Sequence, residues 1–300
     1  MSLALDENPY ARFNRANALL ALGRYEEGFR DWNVCRQIYR CELGERAKRW
    51  YFAERRPIWR GEPDVPVIIV HEHGFGDAIQ LMRFVPAVKA LAQSVVLDVP
   101  EPLERLVSQL APLADDDSEG YLAPWFDMAA VLKFPAEAIP PPPYIRPDEA
   151  LTGRWANRIG NGGQRRVGIA WSVKLGSEHE HPSAKREIPL EQFLELLPFD
   201  ADLYSLQTQE REAANARGVH TMEFRDFADV AAVAACMDGV VSVDTAALHV
   251  AGAIGHPCVH AVLPWAATWR WLNRDWYPNM KLCKQTTPGD WASAFAQIHA

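Results

Sequence analysis

The chain has 300 residues, with 31 Lys and Arg against 39 Asp and Glu, a net charge of -8. Its 48% hydrophobic and 23% charged residues are enough for one large or two medium domains with real cores. The acidic balance disfavours nucleic acid as a partner. No uninterrupted apolar run reaches the ~18 residues of a membrane span. Residues 1–7 lack the basic start and apolar stretch of a secretory signal. The five cysteines (Cys35, Cys41, Cys236, Cys258 and Cys283) are odd in number and form no CxxC pair. They are expected to be idle thiols in a reducing compartment, which makes the expected location cytoplasmic.

Helical spacing comes first. Ala16, Leu19, Leu20 and Leu22, then Tyr25, Phe29 and Trp32, recur at helical intervals on either side of Gly23. Residues 17–29 resemble the middle of a tetratricopeptide repeat, where a turn at glycine folds two helices together. One unit is visible and about three are usually needed for independent stability, so this pair is expected to dock on the body built by the rest of the chain. A plain helical hairpin fits the same pattern.

From Val65 the texture alternates. Strand-like runs at 65–71 and 94–99 are followed by helical periodicity at 78–92 and 102–110. The proline run 139–144 cannot join a sheet interior and marks the exit from a first lobe. The pattern then repeats. Strands are predicted at 166–171, 202–206, 239–243 and 257–263, and helices at 190–197, 210–217, 229–237, 245–254 and 290–299. Two tandem parallel sheets with flanking helices are implied, and a ligand cleft is expected between them, at the carboxyl ends of the strands.

Two strand-to-helix turns can carry chemistry. In His71-Glu72-His73-Gly74-Phe75-Gly76-Asp77-Ala78-Ile79-Gln80 the glycines allow close backbone approach, and Asp77 stands at a helix start. Asp77 fits two roles, a helix cap or a base for a hydroxyl proton. In Ser242-Val243-Asp244-Thr245-Ala246-Ala247-Leu248-His249, open N–H groups and the helix dipole make an anion site suited to a diphosphate. His249 shares a helix face with Thr245. The plainer alternative makes Asp244 the cap and His249 a satisfied core histidine. Lys185 and Arg186 lie in a loop before a helix, where they fit either a phosphate contact or a solvated charge pair.

These turns stand in a longer ordered series. It comprises Pro57-Ile58-Trp59-Arg60-Gly61-Glu62, Glu72 to Asp77, Arg186-Glu187-Ile188-Pro189-Leu190, Ser205-Leu206-Gln207, Asp226-Phe227-Ala228-Asp229 and Ser242 to Ala246. Trp269-Arg270-Trp271, Trp276-Tyr277-Pro278 and Gly289-Asp290-Trp291 complete it. Over nearly all of 57–291 the series resembles the bacterial tetratricopeptide-linked glycosyltransferases, relatives of the lipopolysaccharide heptosyltransferases of glycosyltransferase family 9. The sequence departs from that pattern at His73, where the relatives usually carry Gln.

The resemblance implies an α/β, GT-B fold: a helical tetratricopeptide-like segment over 1–56, an acceptor-side Rossmann-like lobe over 57–150 and a nucleotide-sugar lobe over 151–300. It also implies inverting, metal-independent hexosyl or heptosyl transfer, without a cofactor, from a nucleotide-diphosphate sugar to a glycan, protein or other hydroxyl acceptor. On this reading Asp77 is the catalytic base. Lys185 or Arg186, with Asp244, Thr245, Ala246 and His249, hold the donor diphosphate. Glu72, His73, Gly74, Gly76 and Gln80 form the acceptor-side loop. The lobes would close about a 140–155 linker and exclude water.

Three rival readings remain. A degenerate scaffold or protein-binding module would keep the fold without the chemistry. A metal hydrolase could use His71 and His73, with His179, His181, His220 and Asp244, but needs a (β/α)₈ barrel. Asp115-Asp116-Asp117 has the form of a metal-binding DxD motif, though its polar surroundings read as a solvated acidic loop.

Overall fold

A computed structural model describes residues 8–32, 44–160, 162–173, 185–272 and 274–298. Cys35, Cys41, His179, His181, Ser183 and Ala184 lie outside the described residues. The chain divides within the proline run into two units, Met1–Pro141 and Pro142–Ala300.

The first unit opens with two helices packed on each other, α1 (Pro9–Ala21) and α2 (Tyr25–Trp32). Asn8 caps α1 by accepting the N–H groups of Tyr10 and Ala11, and Pro9 occupies the first turn, where no donor is missed. Gly23, at φ +73°, ends the helix. Its N–H donates to Leu20 and that of Arg24 to Leu19, a Schellman pair that satisfies the last carbonyls. Gly28 lets α2 approach α1 closely, because a Cβ there would come within 2.6 Å of the Leu20 side chain. Gly28→Ala is therefore expected to overpack the hairpin and cost about 1–2 kcal/mol. Chemical denaturation would measure this; an unchanged midpoint would mean that the helices can separate freely.

Apolar aromatic faces hold the hairpin in place. Phe29 and Trp32 pack on Phe126, with ring centroids 6.0 and 4.7 Å apart, and Tyr25 lies 6.1 Å from Phe134. Phe126 belongs to α7 (Trp125–Leu132), which packs beside the sheet of this unit. The strands are β1 (Pro66–Val70), β2 (Ser94–Asp98) and β3 (Tyr121–Pro124), all parallel, in the order β2-β1-β3. Central β1 is buried at Val67, Ile68, Ile69 and Val70, as expected of a strand covered on both faces. Ile68, Val70 and Leu122 share a core cluster with Ala47 and Trp50. Ala47 sits in α3 (Glu45–Lys48), which runs into a π-helical turn, Arg49–Ala53. Helices α4 (Phe75–Leu81), α5 (Val85–Leu91) and α6 (Glu101–Val107) complete the unit.

The second unit carries a five-stranded parallel sheet in the order β5-β4-β6-β7-β8. Its strands are β4 (Arg166–Ala170), β5 (Asp202–Ser205), β6 (Gly239–Ser242), β7 (Val259–Leu263) and β8 (Met280–Lys284). The helices are α8 (Glu149–Ile159), α9 (Leu190–Leu196), α10 (Arg211–Ala216), α11 (Phe227–Ala235), α12 (Ala246–Ala253) and α13 (Trp291–Phe295). Val167, Ile169, Val241 and Val262 meet Phe193 and Phe295 in one core.

The expected 140–155 linker is corrected in its second half. Asp148 caps α8 by accepting the Leu151 N–H at 2.6 Å, and Trp155 Nε1 donates to Asp229 of α11 at 3.0 Å. Residues 149–155 are therefore packed helix. The rival barrel is also corrected: the described strands form two open sheets. No helix among the described residues is long and apolar enough to cross a membrane. Cys236, Cys258 and Cys283 are unpaired; burial pushes the Cys236 thiol up and the Cys283 thiol to about 11, away from reactivity.

Candidate active site

In the second unit, β6 ends at Ser242 and α12 begins at Ala246. Thr245, not Asp244, is the cap. Its backbone is extended, and its Oγ1 accepts the Leu248 N–H at 3.4 Å. Ser242 Oγ donates to the Val243 carbonyl at 2.8 Å, so the 3.1 Å bond between the two hydroxyls runs from Thr245 to Ser242. With Leu248 satisfied, the N–H groups of Ala246 and Ala247 have no acceptor among the described residues. They leave an open helix mouth of the kind that binds anions.

Asp244 is freed from capping and faces Arg186 and His249 instead. Its Oδ2 lies 3.8 Å from Arg186, and its Oδ1 lies 3.7 Å from His249 Nε2. Burial pushes the carboxyl up, but His249, Arg186 and Arg270 together outweigh it and hold Asp244 below the usual aspartate range. His249 is 3% exposed, and its Nδ1 lies 2.8 Å from the Tyr277 hydroxyl. Trp271 covers the imidazole at a centroid distance of 5.0 Å. Of the two cations before α9, Arg186 reaches this cluster, whereas exposed Lys185 pairs with Glu187 at 3.2 Å.

In the first unit, β1 runs through His71 into α4. Gly74 is the cap of α4 and Asp77 its third residue: Asp77 Oδ2 accepts the Gly74 N–H at 3.1 Å. The carboxylate is half-buried beside the glycine turn. Gly76 lies within the first turn of α4. Glu72 turns elsewhere, its buried carboxylate accepting the Phe126 N–H at 2.9 Å, at the start of α7. His73, at φ +63°, sets its ring edge-on to Phe126 and Trp32. Both residues thus tie the turn to the aromatic packing of the hairpin. Gln80 is wholly buried.

His71 packs on Phe75 and His73 on Phe126, so the two rings face different neighbours. Among the described residues, no three His, Cys, Asp or Glu side chains converge as a metal site. Asp115 accepts the Ser118 hydroxyl at 2.7 Å, which holds its carboxyl below the usual range, and Asp116 pairs with Arg46 and Arg49. That acidic run is therefore a tied surface loop.

Tyr277, Trp271 and Arg270 escape a reading based on spacing, because they join His249 and Asp244 from beyond β7. Their strings stand in the ordered series that carries the family resemblance, but nothing in the sequence links them to His249. Ten of the eleven tryptophans are buried, Trp171, Trp269, Trp271 and Trp276 among them, which is the ordinary fate of tryptophan. Trp265 alone is open, 48% exposed, two residues beyond the carboxyl end of β7, next to β6 in the sheet.

No protein-family profile matches this sequence. Protein FlbA of Caulobacter vibrioides is 26% identical over 332 aligned positions, taking in 96% of this chain but only 54% of that protein. The chain thus spans about half the length of this curated relative. Among solved structures, glycosyl transferase family 9 from Veillonella parvula aligns with a TM-score of 0.54 at 10% identity, covering 78% of this chain and 93% of that one. The Escherichia coli ADP-heptose lipopolysaccharide heptosyltransferase II aligns with a TM-score of 0.51 at 10% identity, covering 77% and 96%. The structural neighbours are thus a family 9 glycosyl transferase and a lipopolysaccharide heptosyltransferase, and the α/β fold with parallel sheets matches theirs.

Proposed function

We propose that this protein is an inverting, metal-independent glycosyltransferase that takes a sugar from a nucleotide-diphosphate donor to a hydroxyl acceptor. The observation that carries the reading is the open start of α12, where two free N–H groups follow Asp244 and its partners Arg186 and His249. The likeness in fold to heptosyltransferases supports it. Ala246 and Ala247 N–H, Thr245 and Arg186 hold the diphosphate. They stabilise the charge that grows on the leaving nucleotide as the glycosidic bond breaks. Asp77 takes the proton from the acceptor hydroxyl, which attacks the anomeric carbon from the opposite face. Helices α1 and α2 form a single tetratricopeptide-like unit.

Nucleoside diphosphates test the donor site. ADP, UDP, GDP, CDP and dTDP are compared by thermal shift, with ADP first because the Escherichia coli neighbour is an ADP-heptose enzyme. At 100 times its dissociation constant, one responder is expected to add about 2.7 kcal/mol, a rise of several degrees. The same nucleotide is expected to quench emission from exposed Trp265. A flat response to all five would leave the scaffold reading in place.

A further inference from the structure

The hydroxyls of Tyr277 and Tyr144 extend the second unit's cluster away from the helix mouth. Tyr277 Oη lies 2.8 Å from His249 Nδ1 and 3.3 Å from Tyr144 Oη. We propose that Tyr277 is a positioning residue, the fixed end of a relay running Tyr277–His249–Asp244–Arg186 that presents the Arg186 guanidinium to a donor diphosphate. This rests on the reading of the α12 mouth as the diphosphate site.

The sequence makes room for this arrangement at one residue. Gly252 lies one turn beyond His249 on α12, and a Cβ there would come within 2.4 Å of the Tyr277 ring. Only glycine lets that ring lie against the helix and bring its hydroxyl to the imidazole. Tyr144 is held from the same helix: its N–H and that of Ile145 both donate to the Ala253 carbonyl, at 3.0 and 3.2 Å.

Aromatic packing alone does not orient the imidazole. Trp271 lies tilted against the His249 ring and stacks on Tyr277 at 5.7 Å, and a ring flip would preserve most of that contact. The flip would, however, present carbon to Tyr277 and to Asp244. A hydrogen bond from the Tyr277 hydroxyl to Nδ1 removes this degeneracy and places the ring proton on Nε2, facing Asp244. Tyr144 then donates to the Tyr277 oxygen, which leaves neither hydroxyl idle. Within the relay, Tyr277, His249 and Asp244 are buried, whereas the Arg186 side chain keeps 32% exposure and can meet a ligand.

Tyr277→Phe deletes one oxygen and keeps the ring. In ligand-free protein, ¹⁵N spectra of His249 are expected to show a single Nε2-protonated tautomer, and Tyr277→Phe is expected to give a mixture. ADP, or whichever diphosphate responds in the panel, is expected to bind about tenfold more weakly to Tyr277→Phe. That loss is expected to vanish in an Arg186→Ala background, because a relay ending at arginine has nothing left to position. Unchanged His249 spectra in Tyr277→Phe, or an undiminished loss in the Arg186→Ala background, would overturn the relay. Absence of diphosphate binding by the wild type, with the tautomer mixture still appearing in Tyr277→Phe, would instead sink the donor-site reading and leave the Tyr277 anchor standing.

Discussion

Asp77→Asn is expected to lower sugar transfer by about 10²–10⁴-fold, the range a positioned general base supplies, while leaving the protein folded and its nucleotide affinity within about twofold. The substitution separates two functions that share one carboxylate. Asp77 accepts the Gly74 N–H and so closes the first turn of α4. An asparagine carbonyl accepts the same bond, so the cap survives. Lost charge at the helix start costs only about 0.3–1 kcal/mol. What asparagine cannot do is accept a proton from an attacking hydroxyl. The comparison is the release of nucleoside diphosphate from the matching nucleotide sugar, with and without acceptor, alongside a melting curve. Full turnover in the variant would remove Asp77 from the mechanism and return it to capping. A collapse in melting temperature with proportional loss of activity would show that the turn, rather than the proton, was the point.

The same ambiguity is present in the sequence, and it shows what spacing conveys. A carboxylate after a strand signals a helix start, but at the second site it points to the wrong residue as the cap. Asp244 reads naturally as a cap, since Asp is favoured there. Thr245 takes that role, and Asp244 is released to bind Arg186 and His249. Local sequence cannot separate the two, because both residue types cap helices well. The strands that periodicity misses have their own reasons. β3 is an edge strand of four residues that ends in Pro124, which an edge tolerates but a sequence reading rejects. β8, also at an edge, is only partly buried, so its apolar signal is weak. Helix α8 contains Gly153 and succeeds the proline run, so its first half reads as linker. By contrast, β1, β4, β6 and β7 are buried almost throughout and stand out as apolar runs. Tyr277 cannot be found this way, because its partner lies 28 residues earlier in the chain.

Asp244→Asn is expected to cost about 3 kcal/mol at neutral pH, lowering the melting temperature by roughly 6–12 °C. The variant keeps the shape but leaves half-covered Arg186 without its counter-charge and puts a weaker, neutral acceptor opposite the buried His249 ring. The pH dependence is set by the direction of the shift. Asp244 is held below its unfolded value of 3.8, so its stabilisation is complete above that pH and is lost as the pH falls through the lower folded value. The gap between wild type and variant should therefore be constant from about pH 5 to 7 and narrow only under acid. A gap that widened on acidification would reverse the assignment. Ligand affinity supplies the sharper discrimination. Coulomb's law alone says that deleting a negative charge beside an anion site should tighten diphosphate binding. Weaker binding is expected instead, because the carboxylate holds Arg186 in place and a tethered guanidinium retains more of its hydrogen-bond energy than a wandering one. Tighter binding by Asp244→Asn would mean that the buried carboxylate opposes the donor and that its pairing with Arg186 serves the fold alone.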